Sequence, residues 1–384
     1  MPKRTPLPIT GSVLDWAIQQ AGLSVEEVVA RTGFSQESIQ AWILNQAKPT
    51  IGQVRKLAEV VRRPMAVFYL TSPPQDVGVP PALRRTSGAT QRDLTPEQLR
   101  QARRARRMQR LAHSLLASQP AVTPQLPQVR PGTDSSQAGH TLRQWVGVAV
   151  ESQLEWAAAK QAFDEWRVAL ESHGVLALQL QLGEVLRGFS LWDELAPLVA
   201  VNTADNYQAR SFTLFHEVAH LASRTESSCA ERPGNSSSSL NIERWCEEVA
   251  SVALLPPGAI RSVAERIRPR TVDEFDLVSQ VANAFKASLR ATALALIRDA
   301  LVDRSVYDEI QERAPVLDRE KGFARGGGQR APERRLSEYG IRTLSLVFNA
   351  LESQRLTERD ARDYLRLDGA EVDELGARLL RGTP

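Results

Sequence analysis

Cysteine is nearly absent: Cys229 and Cys246 are the only two in 384 residues. That excludes a disulfide framework and an all-cysteine zinc site, and it fits a reducing compartment. Histidine is also scarce, at five residues, so any metal has to rely on a few imidazoles and on carboxylates. No stretch approaches the roughly 18 apolar residues that a membrane span requires. The opening, Met1-Pro2-Lys3-Arg4-Thr5-Pro6, leads into prolines rather than a continuous apolar core and does not read as a secretory signal. A cytoplasmic protein with no membrane partner is the expectation. A large charge excess is missing too: the net charge is +3, so the basic pI near 9.0 does not by itself argue for nucleic acid.

What remains is the composition of a soluble globular protein, 42% hydrophobic and 24% charged. The length suits two or three domains rather than one core. Charge is unevenly spread, with nine arginines between Arg84 and Arg110 against Asp93 and Glu97. That segment is a candidate polyanion contact, and equally a solvated helix face.

Residues 12 to 70 read as short helices at Ser12 to Ala21, Ser24 to Ala30, Ser35 to Leu44 and Thr50 to Val61. Gly22 and Gly33 supply stops, and Ser24 with Glu27 has the spacing of a capping box. Val25, Val28 and Val29, then Phe34, Ile39, Trp42 and Ile43, then Val54, Leu57, Ala58 and Val61 give the stripes of one small bundle, assigned to 1–75. Residues 76–140 hold an arginine-rich amphipathic helix, Glu97 to Leu116, and a linker at 118 to 140 marked by Pro120, Pro124, Pro127, Pro131 and Ser135-Ser136.

A second domain is placed at 141–260. It reads as helix over 142 to 173, short strands at 175–180, 187–191 and 198–201, and a helix from Gln208 to Ser223. A Gly/Ser-rich loop through Ser236 to Ser239 follows, then a helix from Ile242 to Leu254 stopped by Pro256-Pro257-Gly258. Residues 261–384 form a helical C-terminal region, broken at Gly326-Gly327-Gly328 before a last helical segment at 336 to 382. The fold class predicted for the chain is α+β, mostly helical.

The chemistry concentrates in His216-Glu217-Val218-Ala219-His220. Residues four apart on a helix point the same way, so His216 and His220 can present two imidazoles to one tetrahedral Zn²⁺ while Glu217 faces its water as general base. An accidental match on an amphipathic helix is the bland reading. Against it, Phe212, Phe215, Val218, Ala219 and Ala222 would bury the helix, and polar side chains on a buried surface need a reason such as a metal. A catalytic zinc keeps three protein ligands. For the third, His113, His140 and His173 have no favoured placement, whereas Glu243, Glu247 and Glu248 lie on the next helix. Glu243 and Glu247 share a face, and spacing does not choose between them; Glu248 best fits a solvated position.

The run Arg210-Ser211-Phe212-Thr213-Leu214-Phe215-His216-Glu217-Val218-Ala219-His220-Leu221, followed by Ile242-Glu243, Cys246, Val249-Ala250 and Leu254-Leu255-Pro256, resembles the ImmA/IrrE family of metallopeptidases. Trp166-Arg167, Gly174-Val175, Arg187-Gly188-Phe189-Ser190 and Pro197 to Asn202 extend the resemblance to nearly the whole chain, in the architecture where an Xre/Cro-type helix-turn-helix precedes the peptidase. The resemblance implies a zincin-like domain with Zn²⁺ held by His216, His220 and Glu243, and site-specific cleavage of a helix-turn-helix repressor. The chain departs from the family pattern at Trp245, Cys246 and Glu247, where Glu-Ala-Asn is frequent, and at Val249, which replaces a usual Phe. These changes touch packing and the surroundings of the ligands rather than the ligands.

Ser35 to Leu44 stands where a recognition helix would enter the major groove, with Gln36, Glu37, Ser38 and Gln40 near its start. Gln pairs with adenine and Glu accepts from cytosine. The helix has no Arg or Lys, so phosphate affinity would come from Lys3, Arg4, Arg31, Lys48, Arg55 and Lys56, or from the Arg84 to Arg110 segment. Duplex DNA is one expected partner; a protein-docking or homodimerisation module is the other reading of this bundle. The leading function is a regulatory endopeptidase acting on a repressor or antitoxin. Its rival is a DNA-binding regulator or antitoxin with a vestigial or sensory zinc site, and the intact Glu217 favours the enzyme. The loop at 224 to 241 and the C-terminal region are candidate gates. Cys229 would act as a redox or latency ligand only if its loop folded back, and Cys246 reads as core.

Overall fold

The computed structural model describes residues 7–21, 23–61, 63–74, 83–85, 95–118, 124, 126–183, 186–224, 236–320 and 330–381. Met1 to Pro6, Gly22, Asp93, Pro120, residues 225–235 of the candidate gating loop with Cys229, and Gly326 to Gly328, all singled out above, lie outside them. The chain divides into two compact units, residues 1–80 with 87–104, and residues 81–86 with 105–384.

The first unit holds α1 (Gly11–Gln20), α2 (Val25–Thr32), α3 (Gln36–Ile43) and α4 (Ile51–Val61). The local chemistry fixes their ends. Ser24 and Glu27 close a reciprocal capping box on α2, and Gly33 ends it in the left-handed region at φ 68°. Ser35 caps α3 by accepting from the Ser38 amide. Leu14, Ile18, Val28, Ile39, Trp42, Val54, Leu57 and Phe68 form the core, with Phe34 edge-on to Trp42 at 5.5 Å. Asn45 accepts from the Gly11 amide at 2.8 Å and ties the end of α3 to the start of α1.

The second unit contains β1 (Leu83–Arg85), the later residues of α5 (Pro96–Ala117), α6 (Ser135–Val146), α7 (Val150–Glu155) and α8 (Ala159–Ser172). Strands β2 (Leu176–Leu180), β3 (Leu186–Leu191) and β4 (Leu198–Asn202) precede α9 (Tyr207–Ser223) and α10 (Ser236–Leu254). Then follow α11 (Pro257–Ile267), α12 (Glu274–Phe285), α13 (Leu289–Arg298), α14 (Ser305–Glu320), α15 (Ala331–Glu352), α16 (Glu358–Leu365) and α17 (Gly369–Leu380). The α+β, mostly helical class is what the structure has.

The sheet has the order β1-β3-β4-β2, with β2 parallel to β4 and the other pairs antiparallel. Every residue of β2 and β4 is buried, as expected of strands covered on both faces; α8, α9 and α15 pack on the sheet. Trp166 of α8 meets Trp156 and Phe215 edge-on, each at 4.9 Å, and joins α8 to α9 at the centre of the core. Each such fully buried ring contributes about 1.5–3 kcal/mol by leaving water.

The structure departs from the sequence reading in several places. The stretch read as one helix over 142 to 173 is α6, α7 and α8, because Gly147 ends α6 at φ 73° and Trp156-Ala157-Ala158 is non-helical. The helix α6 starts at Ser135, inside the expected linker, where the Asp134 side chain accepts from the Ser136 amide. The Ser236 to Ser239 run opens α10 instead of forming a loop. The stretch read as helical over 336 to 382 is, as far as residue 381, the end of α15, which breaks at Gly340 (φ 78°, ψ 169°), followed by α16 and α17. Each of these two is opened by a capping box, at Thr357/Asp360 and Asp368/Glu371, and residue 382 lies outside the described residues. The strand β1 had no expectation at all.

Candidate metal centre

The helix α9 opens at Asn206, whose side chain accepts from the Ala209 amide, and ends at Arg224 in the left-handed region. Arg210 anchors its first turn by donating to Gln179 on β2 and to the carbonyls of Thr203 and Asp205. From Thr213 to Ser223 every residue is buried. A helix buried all round needs an explanation for its polar members, and here they converge on one point.

His216, His220 and Glu243 bring three ligand atoms together. The two Nε2 atoms are 3.1 Å apart, His216 Nε2 lies 3.2 Å from Glu243 Oε2, and His220 Nε2 lies 3.3 Å from Glu243 Oε1. Ligands about 2.0–2.1 Å from a tetrahedral zinc are separated by about 3.3–3.4 Å. The two contacts to Glu243 end on different oxygens; with one ligand atom from each residue the three lie within 4.8 Å of one another, close enough to share an ion, and a makeup of two imidazoles and one carboxylate suits zinc.

Electrostatics point the same way. Burial alone would raise the Glu243 carboxyl, but hydrogen bonds with His216 and His220 outweigh it and hold that carboxyl far below the usual range. Burial would lower His220, yet hydrogen bonds with Cys246 and Glu243 leave it well above an ordinary histidine. The pocket stabilises positive charge between these side chains.

The phase of α10 separates the two candidate third ligands. Trp245, Cys246, Val249 and Ala250 are buried against the core, which turns Glu243 toward the histidines and leaves Glu247 exposed. Glu248 is exposed and accepts from Ser135 Oγ at 2.9 Å. The Trp245 indole donates to the Thr133 carbonyl, and Gly139 on α6 allows α10 to come close: a Cβ there would lie 2.5 Å from the Val252 Cβ. Of the other histidines, His113 is 2.8 Å from the Asp193 carboxylate, His140 is exposed, and His173 packs on Trp145. None of them joins the cluster.

Glu217 is fully buried on the same helix. Above it runs β3, where Gly188 has no room for a side chain: a Cβ would lie 2.5 Å from Thr213 Cγ2, 2.7 Å from the Ala200 carbonyl oxygen and 3.6 Å from Glu217 Cγ. That glycine sets the closeness of β3 and α9. Sequence reasoning missed Cys246, which lies in hydrogen-bonding contact with His220 as well as in the core, and whose thiol burial pushes up. The i, i+3 spacing from Glu243 to Cys246 was the available signal.

On α3, Gln36, Glu37 and Gln40 are exposed, and Ser38 is half-buried with its hydroxyl 3.0 Å from Ser35 Oγ. Lys56 lies over the Phe34 ring at 5.5 Å. Within the arginine-rich segment, Arg103 donates to the Gln20 carbonyl, Arg106 donates to Gln109, and Arg107 stacks on Tyr364. Part of that segment is thus used in internal contacts, with Arg107 and Arg110 exposed.

Among the described residues no helix is long and apolar enough to cross a membrane. No curated protein sequence matches the chain. Two family models do. Residues 14–68 match a helix-turn-helix model, and residues 170–296, which include α9 and α10, match the peptidase family M78 model described as an IrrE N-terminal-like domain. The order of the two matches is that of an Xre-like helix-turn-helix segment followed by a segment similar to the ImmA/IrrE-like M78 metallopeptidases.

Proposed function

We propose that this chain is a zinc-dependent regulatory endopeptidase that cleaves a helix-turn-helix repressor or antitoxin partner, in the cytoplasm. The observation that carries the reading is the convergence of His216, His220 and Glu243, whose ligand atoms lie within 4.8 Å of one another, on a helix that also carries the buried carboxylate of Glu217. His216, His220 and Glu243 would hold Zn²⁺. When bound, that ion supplies Lewis acidity, lowering the pKa of water and polarising a peptide carbonyl. Glu217 follows His216 directly on α9 and is outside the His216, His220 and Glu243 cluster, so its role is to take a proton from water and deliver it to the leaving amine.

The N-terminal unit binds duplex DNA in this reading, through Gln36, Glu37 and Gln40, with Ser38 as the least available of the four. The test incubates the zinc-loaded chain with repressors encoded beside its gene and maps products by mass spectrometry. A single cut in one repressor, lost with Glu217→Gln, supports the reading; intact repressors throughout oppose it.

A further inference from the structure

We propose that the outer edge of β3 is a strand-receiving surface and that residues 83–85 of this same chain are its resident occupant, held where an extended polypeptide would lie beside the metal centre. The competition with substrate rests on the peptidase reading above; the strand addition itself does not.

The geometry begins at the sheet. Without β1, the order would be β3-β4-β2 and β3 would be an edge strand with a row of unpaired amides and carbonyls. The added strand runs antiparallel, with Leu83 opposite Phe189, Arg84 opposite Gly188 and Arg85 opposite Leu186, and a register shift between Arg84 and Arg85. Gly188 lies against α9, since its side-chain position abuts Thr213 and Glu217. Arg84 is therefore one strand spacing, about 4.8 Å, from the strand that covers the general base.

Three features make this an occupant and not an integral strand. Among the described residues it is three long, against five or six for the other strands. It comes from far away in sequence, more than 100 residues before its partner, whereas β2, β3 and β4 follow one another directly. Its backbone pairing uses main-chain groups, which any extended peptide can supply, so the edge recognises conformation first and sequence second. A tethered segment acts at an effective concentration in the millimolar range, and a free polypeptide at micromolar concentration competes poorly. The edge is accessible to a second chain only in the fraction of molecules where 83–85 has left, and apparent affinity falls by that fraction.

The test compares the wild-type chain with a full-length variant carrying Leu83→Pro, Arg84→Gly and Arg85→Pro, which removes two backbone donors and weakens strand formation. A fluorescein-labelled peptide with the sequence of residues 80–88 is the probe, titrated against the metal-free chains by anisotropy. The variant is expected to bind it at least roughly tenfold more tightly than the wild type. Hydrogen exchange should be faster at β3 amides in the variant than in the wild type, unchanged at β2, and slowed again by saturating peptide. Equal peptide affinity in the two chains, or equal exchange at β3, overturns the proposal. If the triple substitution unfolds the chain, Arg84→Pro alone carries the same comparison. With zinc added and casein as substrate, KM should fall roughly tenfold in the variant at unchanged kcat. An unchanged KM overturns the competition with substrate. Absence of cleavage by both chains counts against the peptidase reading instead, and leaves the decision on strand addition to the affinity and exchange measurements.

Discussion

Helices α3 and α9 both carry polar residues at the positions that matter, and they carry them in opposite ways. On α3 the polar residues Gln36, Glu37 and Gln40 face solvent, while Ile39 and Trp42 hold the helix in place. On α9 the polar residues His216, Glu217 and His220 are buried with everything around them. Solvated polar groups cost nothing and therefore signal little. Buried ones cost several kcal/mol unless paired or coordinated, so their presence on α9 is itself evidence of a site. A candidate metal centre is legible in one chain because all its donors come from that chain, whereas a nucleic-acid surface is completed by its partner.

The contrast is broken most severely by removing ligands. His216→Ala, His220→Ala and Glu243→Ala are each expected to abolish stoichiometric zinc, since each leaves two of three protein donors; metal analysis by mass spectrometry reads this directly. Acidification should release the metal as well, because protons compete for the same imidazoles. His220 prefers its proton more than an ordinary histidine does, so release on lowering the pH should begin early.

Backbone approach should separate the regions next. Gly188→Ala is expected to destabilise the second unit by about 1–3 kcal/mol, because its new methyl meets Thr213 and the Ala200 carbonyl, and to depress cleavage by shifting Glu217. Denaturant unfolding together with an activity assay checks both. For α3, Gln36→Ala and Gln40→Ala should cost about 1–3 kcal/mol of discrimination between a preferred and a random duplex with no change in thermal stability. Identical affinity for both duplexes at low salt would leave α3 with protein docking. The smallest effects belong to open positions. Gly52→Ala on α4 has nothing within 4 Å and should stabilise the first unit by up to about 1 kcal/mol. Glu247→Ala, one turn from Glu243 and exposed, should keep its zinc.

Local chemistry made much of this readable before the fold. The Ser24/Glu27 box, the Gly33 stop and the three buried strands lie within a residue or two of where patterning put them. The histidine pair follows from helical spacing alone. Spacing left Glu243 and Glu247 equivalent, and the choice depends on which side of α10 packs, where Trp245, Cys246 and Val249 insert into the core. Prolines between 118 and 140 hid the start of α6, because Pro131 stands before the Asp134 cap and does not oppose a helix there. The strand β1 was invisible for a different reason: its partner is more than 100 residues away, and three residues have no periodicity to read. Long-range pairings of that kind, like the contact between Cys246 and His220, belong to tertiary structure.

The most direct test of the account is zinc content and peptide cleavage measured side by side for Glu217→Gln. Glu217 is outside the His216, His220 and Glu243 cluster and is proposed as the proton carrier, so variant and wild type alike should hold zinc near one per chain. Cleavage by the variant should fall by about 10²–10⁴-fold. Normal cleavage by a zinc-loaded Glu217→Gln chain would contradict the mechanism outright, and loss of zinc with loss of cleavage would return Glu217 to the ligand set.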